Sequence, residues 1–312
     1  MRHAEPATTE EGLHVLLLCC AEYQHLVEHC IKLVRKNVID EILSITIVAN
    51  RKMTTPDGCQ LILDQEFWSQ LDPDFNYREI YNQNWIRQQI FKMYGDHYLD
   101  GNILILDPEV MFLRPTKWLH GNKVDLYVNT GHVPWVQESH AFVREILGID
   151  TNIITKSFMS NATIFSSDIL KKMRFEIEER NGMSFFDLIN KKIIKGSGGL
   201  TLSEFDIYGY YFLNHYRDNI HDINVRENND NEYFHETLGF DENFENFARS
   251  TNNNYVVIST SETSATGGKT KWLTFYQQIK DPSWPDCDNE EDFCKLPDAI
   301  QQECIEVFGY TK

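Results

Sequence analysis

Basic residues are scarce in this chain: 29 Lys and Arg stand against 47 Asp and Glu, giving a formal net charge of -18. A sequence-independent grip on DNA or RNA needs a basic surface that displaces counterions from phosphates, so nucleic acid is not an expected partner. Anionic membrane surfaces are disfavoured for the same reason, although a small local basic site for a diphosphate is not. Long apolar runs are also missing. The longest near the N-terminus, Leu13 to Ala21, is interrupted by His14 and falls far short of the roughly 20 residues that cross a bilayer. It follows Glu5, Glu10 and Glu11 rather than a basic leader, so neither a signal peptide nor an integral membrane segment is expected. The seven cysteines are odd in number and lack paired spacing, which leaves no legible zinc pattern or disulfide framework. Cys19 and Cys20 end an apolar run and read as buried small hydrophobes, as expected in a reducing, cytoplasmic compartment. Repeats are absent. So is a glycine-rich phosphate loop after the first strand, since Cys19 to Gln24 contains no glycine, and this argues against a sugar nucleotidyltransferase.

What is present is an ordinary globular composition, 42% hydrophobic and 24% charged over 312 residues, enough chain for a substantial core. Val15 to Cys20 reads as a buried strand, and Leu26, Cys30, Leu33 and Val34 as the apolar stripe of a helix. A second strand follows at Ile42 to Val48, after a connection long enough for a helical crossover, which implies a parallel pair. Turn residues dominate Asn50 to Arg78 around a minor strand at Leu61 to Leu63. Asn82 to Tyr98 recovers helical spacing. Further strands are expected at Asn102 to Leu106, Val110 to Leu113, Val124 to Val128, Phe158 to Phe165 and Tyr255 to Ser259. Helices are expected over Glu138 to Leu147, after Ser167 and Asp168 as caps, over Phe185 to Ile194 and over Glu204 to Tyr216.

The chemistry concentrates at Asp107-Pro108-Glu109. Four aliphatic residues, Ile103 to Leu106, leave that strand no polar face, and Asp107 is where it emerges. Ligands of open α/β sheets gather beyond the carboxyl ends of strands, so an acidic pair there counts for more than the same pair in a loop. Two carboxylates spaced in this way suit a divalent ion that binds diphosphate oxygens; they also suit a plain acidic turn. A haloacid-type phosphatase would require a second Asp where Glu109 stands.

The blocks Asn84-Trp85-Ile86-Arg87-Gln88-Gln89-Ile90-Phe91-Lys92, Ile103 to Glu109 with Phe112-Leu113-Arg114-Pro115, and Ser203-Glu204-Phe205-Asp206-Ile207-Tyr208-Gly209 together resemble a family of GT-A-like glycosyltransferases catalogued largely as a domain of unknown function. The resemblance runs over roughly residues 13 to 225. It implies an α/β, Rossmann-like GT-A nucleotide-diphospho-sugar transferase fold, with a single mixed central sheet flanked by helices. It further implies transfer of a sugar from a nucleotide sugar, expected to be a uridine diphosphate sugar, to a glycan acceptor, assisted by Mn²⁺ or Mg²⁺ on Asp107 and Glu109. The family has Asp where Glu109 stands, and the extra methylene moves that carboxylate.

In that reading Glu204 is the general base of an inverting transfer; as a residue pattern alone, Ser203 and Glu204 equally start a helix as cap and first-turn acid. Gln88, Gln89 and Lys92 contact ribose or diphosphate, or else stand as solvated helix residues. Ala21 and Glu22, after the first strand, lie where the fold receives a nucleobase. His132 and Trp135 fall in an expected acceptor-side loop, where the Trp either stacks on a sugar or packs internally. His221 and His235 are candidates for a late third metal ligand. The expected organisation is an N-terminal leader over residues 1–12, the transferase domain over 13–260, and a C-terminal extension over 261–312. The competing expectation is a nucleotide- or glycan-binding protein that keeps the fold without turnover.

Overall fold

The computed structural model describes residues 12–71, 84–129, 136–151, 157–189, 202–226, 233–235 and 255–259. The chain divides into two compact units, residues 1–231 and 232–312.

In the first unit, β1 (Gly12–Cys19) leads through a 3-10 turn at Ala21–Tyr23 into α1 (Gln24–Asn37). Leu26, Val27, Cys30, Ile31 and Val34 recur at three- and four-residue intervals on α1 and are all buried. There follow β2 (Glu41–Ala49), β3 (Cys59–Leu63), α2 (Asp64–Leu71), α3 (Asn84–Met93) and β4 (Asn102–Leu106). Next come β5 (Val110–Phe112), β6 (Leu119–His120), β7 (Lys123–Asn129) and α4 (Val136–Leu147). The unit continues with β8 (Ala162–Ser166), α5 (Ser167–Asn181), α6 (Glu204–His215) and β9 (Ile220–Arg226), with residues 185–189 also helical. In the second unit β10 (Tyr233–His235) pairs in parallel with β11 (Tyr255–Ser259).

The central sheet has the order β3-β2-β1-β4-β8. The first four strands are parallel and β8 runs antiparallel to β4, so this is a mixed α/β sheet, with helices on its flanks. Solvent has no access to Ile103, Leu104, Ile105 or Leu106, as expected for a central parallel strand covered on both faces. The chain steps outward from β1 to β2 and β3, then returns past β1 to add β4. That reversal places a topological switch point between β1 and β4, the crevice where open α/β sheets receive ligands. Leu17 pairs with Leu106, which sets Asp107 at the carboxyl edge beside the end of β1.

α3 is buried nearly all round, and its C-terminal end is fixed from α5. Buried Arg174 makes paired bonds of 2.6 and 2.7 Å to the carboxylate of Asp96, donates to the carbonyl of Met93 and lies over the Tyr94 ring at 4.3 Å. Planar guanidinium geometry makes that two-point grip directional.

Four expectations are corrected. The Asn50 to Arg78 stretch contains a regular helix, α2, because Phe67 and Trp68 pack on Phe91 with ring centroids 4.2 and 5.0 Å apart. The strand expected from Phe158 begins only at Ala162. Ser167 does not cap α5: Ser166 is the N-cap residue without a side-chain bond, and Ser167 Oγ instead accepts from the Gly101 N–H at 2.9 Å. The central sheet is accompanied by a second, three-stranded one, β6-β7-β9. Among the described residues no helix is long and apolar enough to cross a membrane.

Candidate functional site

Lys92 sits on the last turn of α3, four residues after Gln88 and therefore on the same face. Its side chain is 2% exposed, and its Nζ lies 3.0 Å from Asp107 Oδ1 and 2.9 Å from Glu204 Oε1. The same ammonium stands 4.5 Å over the ring of Phe205, a cation–π contact that gains strength when desolvated. Gln89, on the adjacent face of α3, completes the cluster. With its amide nitrogen turned toward the Glu204 carboxylate it donates to both oxygens, whereas the opposite orientation would set oxygen against oxygen.

Burial alone would lower the Lys92 ammonium, but Asp107 and Glu204 outweigh it and raise it above its ordinary value. Burial pushes the Glu204 carboxyl up; Lys92 opposes this and Asp107 adds to it. The lysine therefore stays charged, and Glu204 is the member held closer to its proton.

Asp107 is anchored by the first residue beyond the β4–β8 ladder. Its N–H donates to the carbonyl of Asn161 at 3.1 Å, and Asn161 Nδ2 donates to Asp107 Oδ2 at 3.3 Å. Glu109 is half-buried. Burial, and after it the charges of Glu109, Asp107 and Cys19, push the buried Cys30 thiol of α1 up.

A cavity of about 120 Å³ opens at the carboxyl ends of β1 and β2, walled by Cys19, Cys20, Asn50, Gln88, Phe91 and the buried Asp64–Arg87 ion pair. The Ala21 N–H donates to Asn50 Oδ1 at 2.9 Å, tying the turn after β1 to the end of β2. The space is smaller than the several hundred Å³ of typical small-molecule clefts, so it suits one part of an extended ligand.

The Ser203-to-Gly209 element resolves into separate structural tasks. Ser203 caps α6 by accepting from the Asp206 N–H at 3.1 Å. Glu204 faces Lys92. Asp206 is fully buried and accepts from Ser139 Oγ, Ser157 Oγ and the Phe158 N–H at 2.8, 2.9 and 2.6 Å. The Ser166 N–H donates to Tyr208 Oη at 2.8 Å. Gly209 lies under the Phe158 ring, which a Cβ would meet at 2.2 Å.

The structure thus brings together Gln89, Lys92, Asp107 and Glu204, with Gln88 lining the adjoining cavity and Ala21 bonded to Asn50 of its wall; Glu22 follows in the same turn. Gln89 and Lys92 are buried rather than solvated. Glu204 both starts a helix and enters the cluster. His132 and Trp135 lie outside the described residues. His221 is hydrogen-bonded to Asp125 at 2.8 Å, and His235 is on β10. Sequence reasoning missed Asn50, Asn161 and the Asp64–Arg87 pair. Asn161 reads in sequence as part of the strand expected from Phe158, and its place beside Asp107 follows only from the antiparallel β4–β8 pairing; the others too are joined only by the fold.

The fold and this cluster define a mixed α/β protein with a charged site at the switch point of its sheet. The chain belongs to a family of unknown function (DUF6492), whose model matches residues 12–273. No curated protein matches it.

Proposed function

We propose that the chain is a GT-A glycosyltransferase that moves a sugar from a nucleotide sugar, expected to be a uridine diphosphate sugar, onto a glycan hydroxyl. The observation that carries this reading is the Lys92–Asp107–Glu204 cluster at the carboxyl end of β4, beside the crevice between β1 and β4. A buried ammonium held between two carboxylates fixes the Asp107 rotamer at the position where an anionic ligand of such a sheet arrives.

The donor set suits a hard divalent cation. Asp107 Oδ2 and the Glu109 carboxylate supply oxygens, and Mg²⁺ or Mn²⁺ is commonly held by one or two carboxylates, with phosphate and water completing its shell. Such an ion would neutralise the departing diphosphate. In this reading Gln88 and the backbone at Ala21 and Glu22 border the nucleoside end, and His132 and Trp135 belong to the acceptor side.

Glu204 is the proposed base of an inverting transfer, and burial raises its carboxyl, the direction that strengthens a base. A base must also be reached by the acceptor, and Glu204 is 1% exposed and paired. That burial favours the second reading, a protein that binds nucleotide or glycan without turnover. A panel of nucleotide sugars with Mn²⁺, assayed for free nucleotide with and without glycan acceptors, separates the two. Acceptor-stimulated release supports the transferase; donor binding without release across the panel overturns it. Asp107→Ala should abolish Mn²⁺-dependent donor binding, and unchanged affinity would remove Asp107 from the metal site. Transfer that survives Glu204→Gln would remove Glu204 as base.

A further inference from the structure

The three-stranded β6-β7-β9 sheet brings together His120, Asp125 and His221, side chains that no sequence pattern connects. β6 and β7 are joined by a two-residue turn whose first position, Gly121, has φ +68°, a conformation that favours glycine and matches a II′ hairpin. His120 is paired with Lys123, so Asp125, two residues further along β7, lies on the same face as His120. β9 runs parallel to β7 with Val124 opposite Ile220 but Asp125 opposite Asp222. The register therefore slips by one residue at His221. A bulge of this kind re-aims a side chain, and His221 reaches Asp125 Oδ1 through Nδ1 at 2.8 Å. Asn219 donates to the Asn122 carbonyl at 2.9 Å and holds the start of β9 to the hairpin.

The two imidazoles are stacked, with centroids 3.7 Å apart and planes 8° from parallel, and both face one carboxylate. His120 Nε2 is shielded from solvent and lies 3.4 Å from Asp125 Oδ2, yet makes no hydrogen bond among the described residues. Buried polar atoms ordinarily have a partner, and an ion or a water would supply the missing one here. One ligand atom from each side chain falls within 4.8 Å of the other two. His221 Nδ1 lies 2.8 Å from Asp125 Oδ1 and His120 Nε2 3.4 Å from Asp125 Oδ2, so the two rings approach the two oxygens of one carboxylate, and a modest turn of the stacked rings out of parallel would aim both lone pairs at one ion held at about 2.0–2.2 Å.

We propose that His120, Asp125 and His221 form a binding site for a divalent transition metal, Zn²⁺ in the first instance, that staples β9 to the β6–β7 hairpin and leaves a coordination position open to water or a ligand. Two imidazoles and one carboxylate select a borderline-soft ion over Mg²⁺ or Ca²⁺. The site is separate in its residues from Asp107 and Glu109 and does not depend on the proposed transferase activity.

The test uses untagged full-length protein dialysed against chelator, then titrated with Zn²⁺ by calorimetry and with Co²⁺ by visible absorption. Wild type should bind Zn²⁺ with an affinity that His120→Ala and His221→Ala each weaken at least tenfold. A tenfold excess of Mg²⁺ should not compete. Because His221 is half-exposed, His221→Ala keeps the test intact if His120→Ala fails to fold, with far-ultraviolet circular dichroism as the check. Equal Zn²⁺ stoichiometry and affinity in wild type and His221→Ala, or no Zn²⁺ bound by wild type, would overturn the proposal.

Discussion

Lys92 Nζ lies 2.9 Å from Glu204 Oε1 in a part of the protein where neither side chain is more than 2% exposed. The two residues come from α3 and from the first position of α6, and Asp107 Oδ1 joins them at 3.0 Å from β4. One ammonium therefore ties a strand end to two helices.

Lys92→Met should be strongly destabilising. It leaves Glu204 in the interior beside Asp107 with no cation between them, and removing one partner of a buried ion pair costs roughly 3–5 kcal/mol. Urea unfolding should show a lower midpoint with an unchanged slope. Adding Glu204→Gln to Lys92→Met removes one of the uncompensated charges and should recover part of the loss. A Lys92→Met protein within about 1 kcal/mol of wild type would mean that the lysine does not hold the cluster together.

Glu204 also gives the stability a definite pH dependence. A carboxyl whose folded value is raised binds its proton more tightly folded than unfolded, so it favours the folded form at low pH. That advantage is lost as the pH rises from the ordinary glutamate value of about 4.3 through the raised one. Glu204→Gln cannot ionise and lacks this loss. Its stability relative to wild type should rise as the pH climbs above about 4. A difference that stays constant over that climb would show that Glu204 titrates alike in the two states.

Asp206 should matter through its three donors rather than through ligand chemistry. Asp206→Ala strands two buried hydroxyls and the Phe158 N–H, each costing about 1–3 kcal/mol when left without a partner. A combined loss of at least about 3 kcal/mol is expected, less than a simple sum because the three share one site. Asp206→Asn keeps one acceptor oxygen and should lose less. Thermal melts of both variants check the order, and equal melting temperatures for Asp206→Ala and wild type would contradict it.

The central strands were legible because β1 and β4 are continuous aliphatic runs, which have few alternatives to a covered parallel strand. The Lys92 helix and Asp107 were legible by position, whereas Glu204 entered the site only through the resemblance of the Ser203-to-Gly209 block, since its place after a capping serine reads as a plain helix start. What the sequence hid was pairing across the fold. Phe67 and Trp68 stabilise α2 from inside the core, but in sequence they are surrounded by turn-forming residues. Asp206 reads as a first-turn acid until Ser139 and Ser157 are brought to it. His120, Asp125 and His221 have no shared spacing at all, since a register slip in β9 is what aligns them.

Gly209 offers a case where local and tertiary preferences oppose each other. In a helix interior, Gly→Ala normally gains about 1 kcal/mol. At this position the new methyl would lie 2.2 Å from Phe158 Cγ and 2.6 Å from each of its Cδ atoms, and overpacking of this kind costs about 1–3 kcal/mol. Phe158 cannot swing aside freely, because its ring also packs edge-on against Tyr210 at 5.0 Å and its N–H is held by Asp206. Gly209→Ala should therefore lower the melting temperature despite the better helix former. In a Phe158→Ala background the same substitution should be neutral or stabilising, because the ring it strikes is gone and helix propensity alone remains. The double-mutant cycle should give a coupling on the order of 1 kcal/mol or more. Additive effects would show that the helix and the Phe158 segment do not constrain each other at this contact.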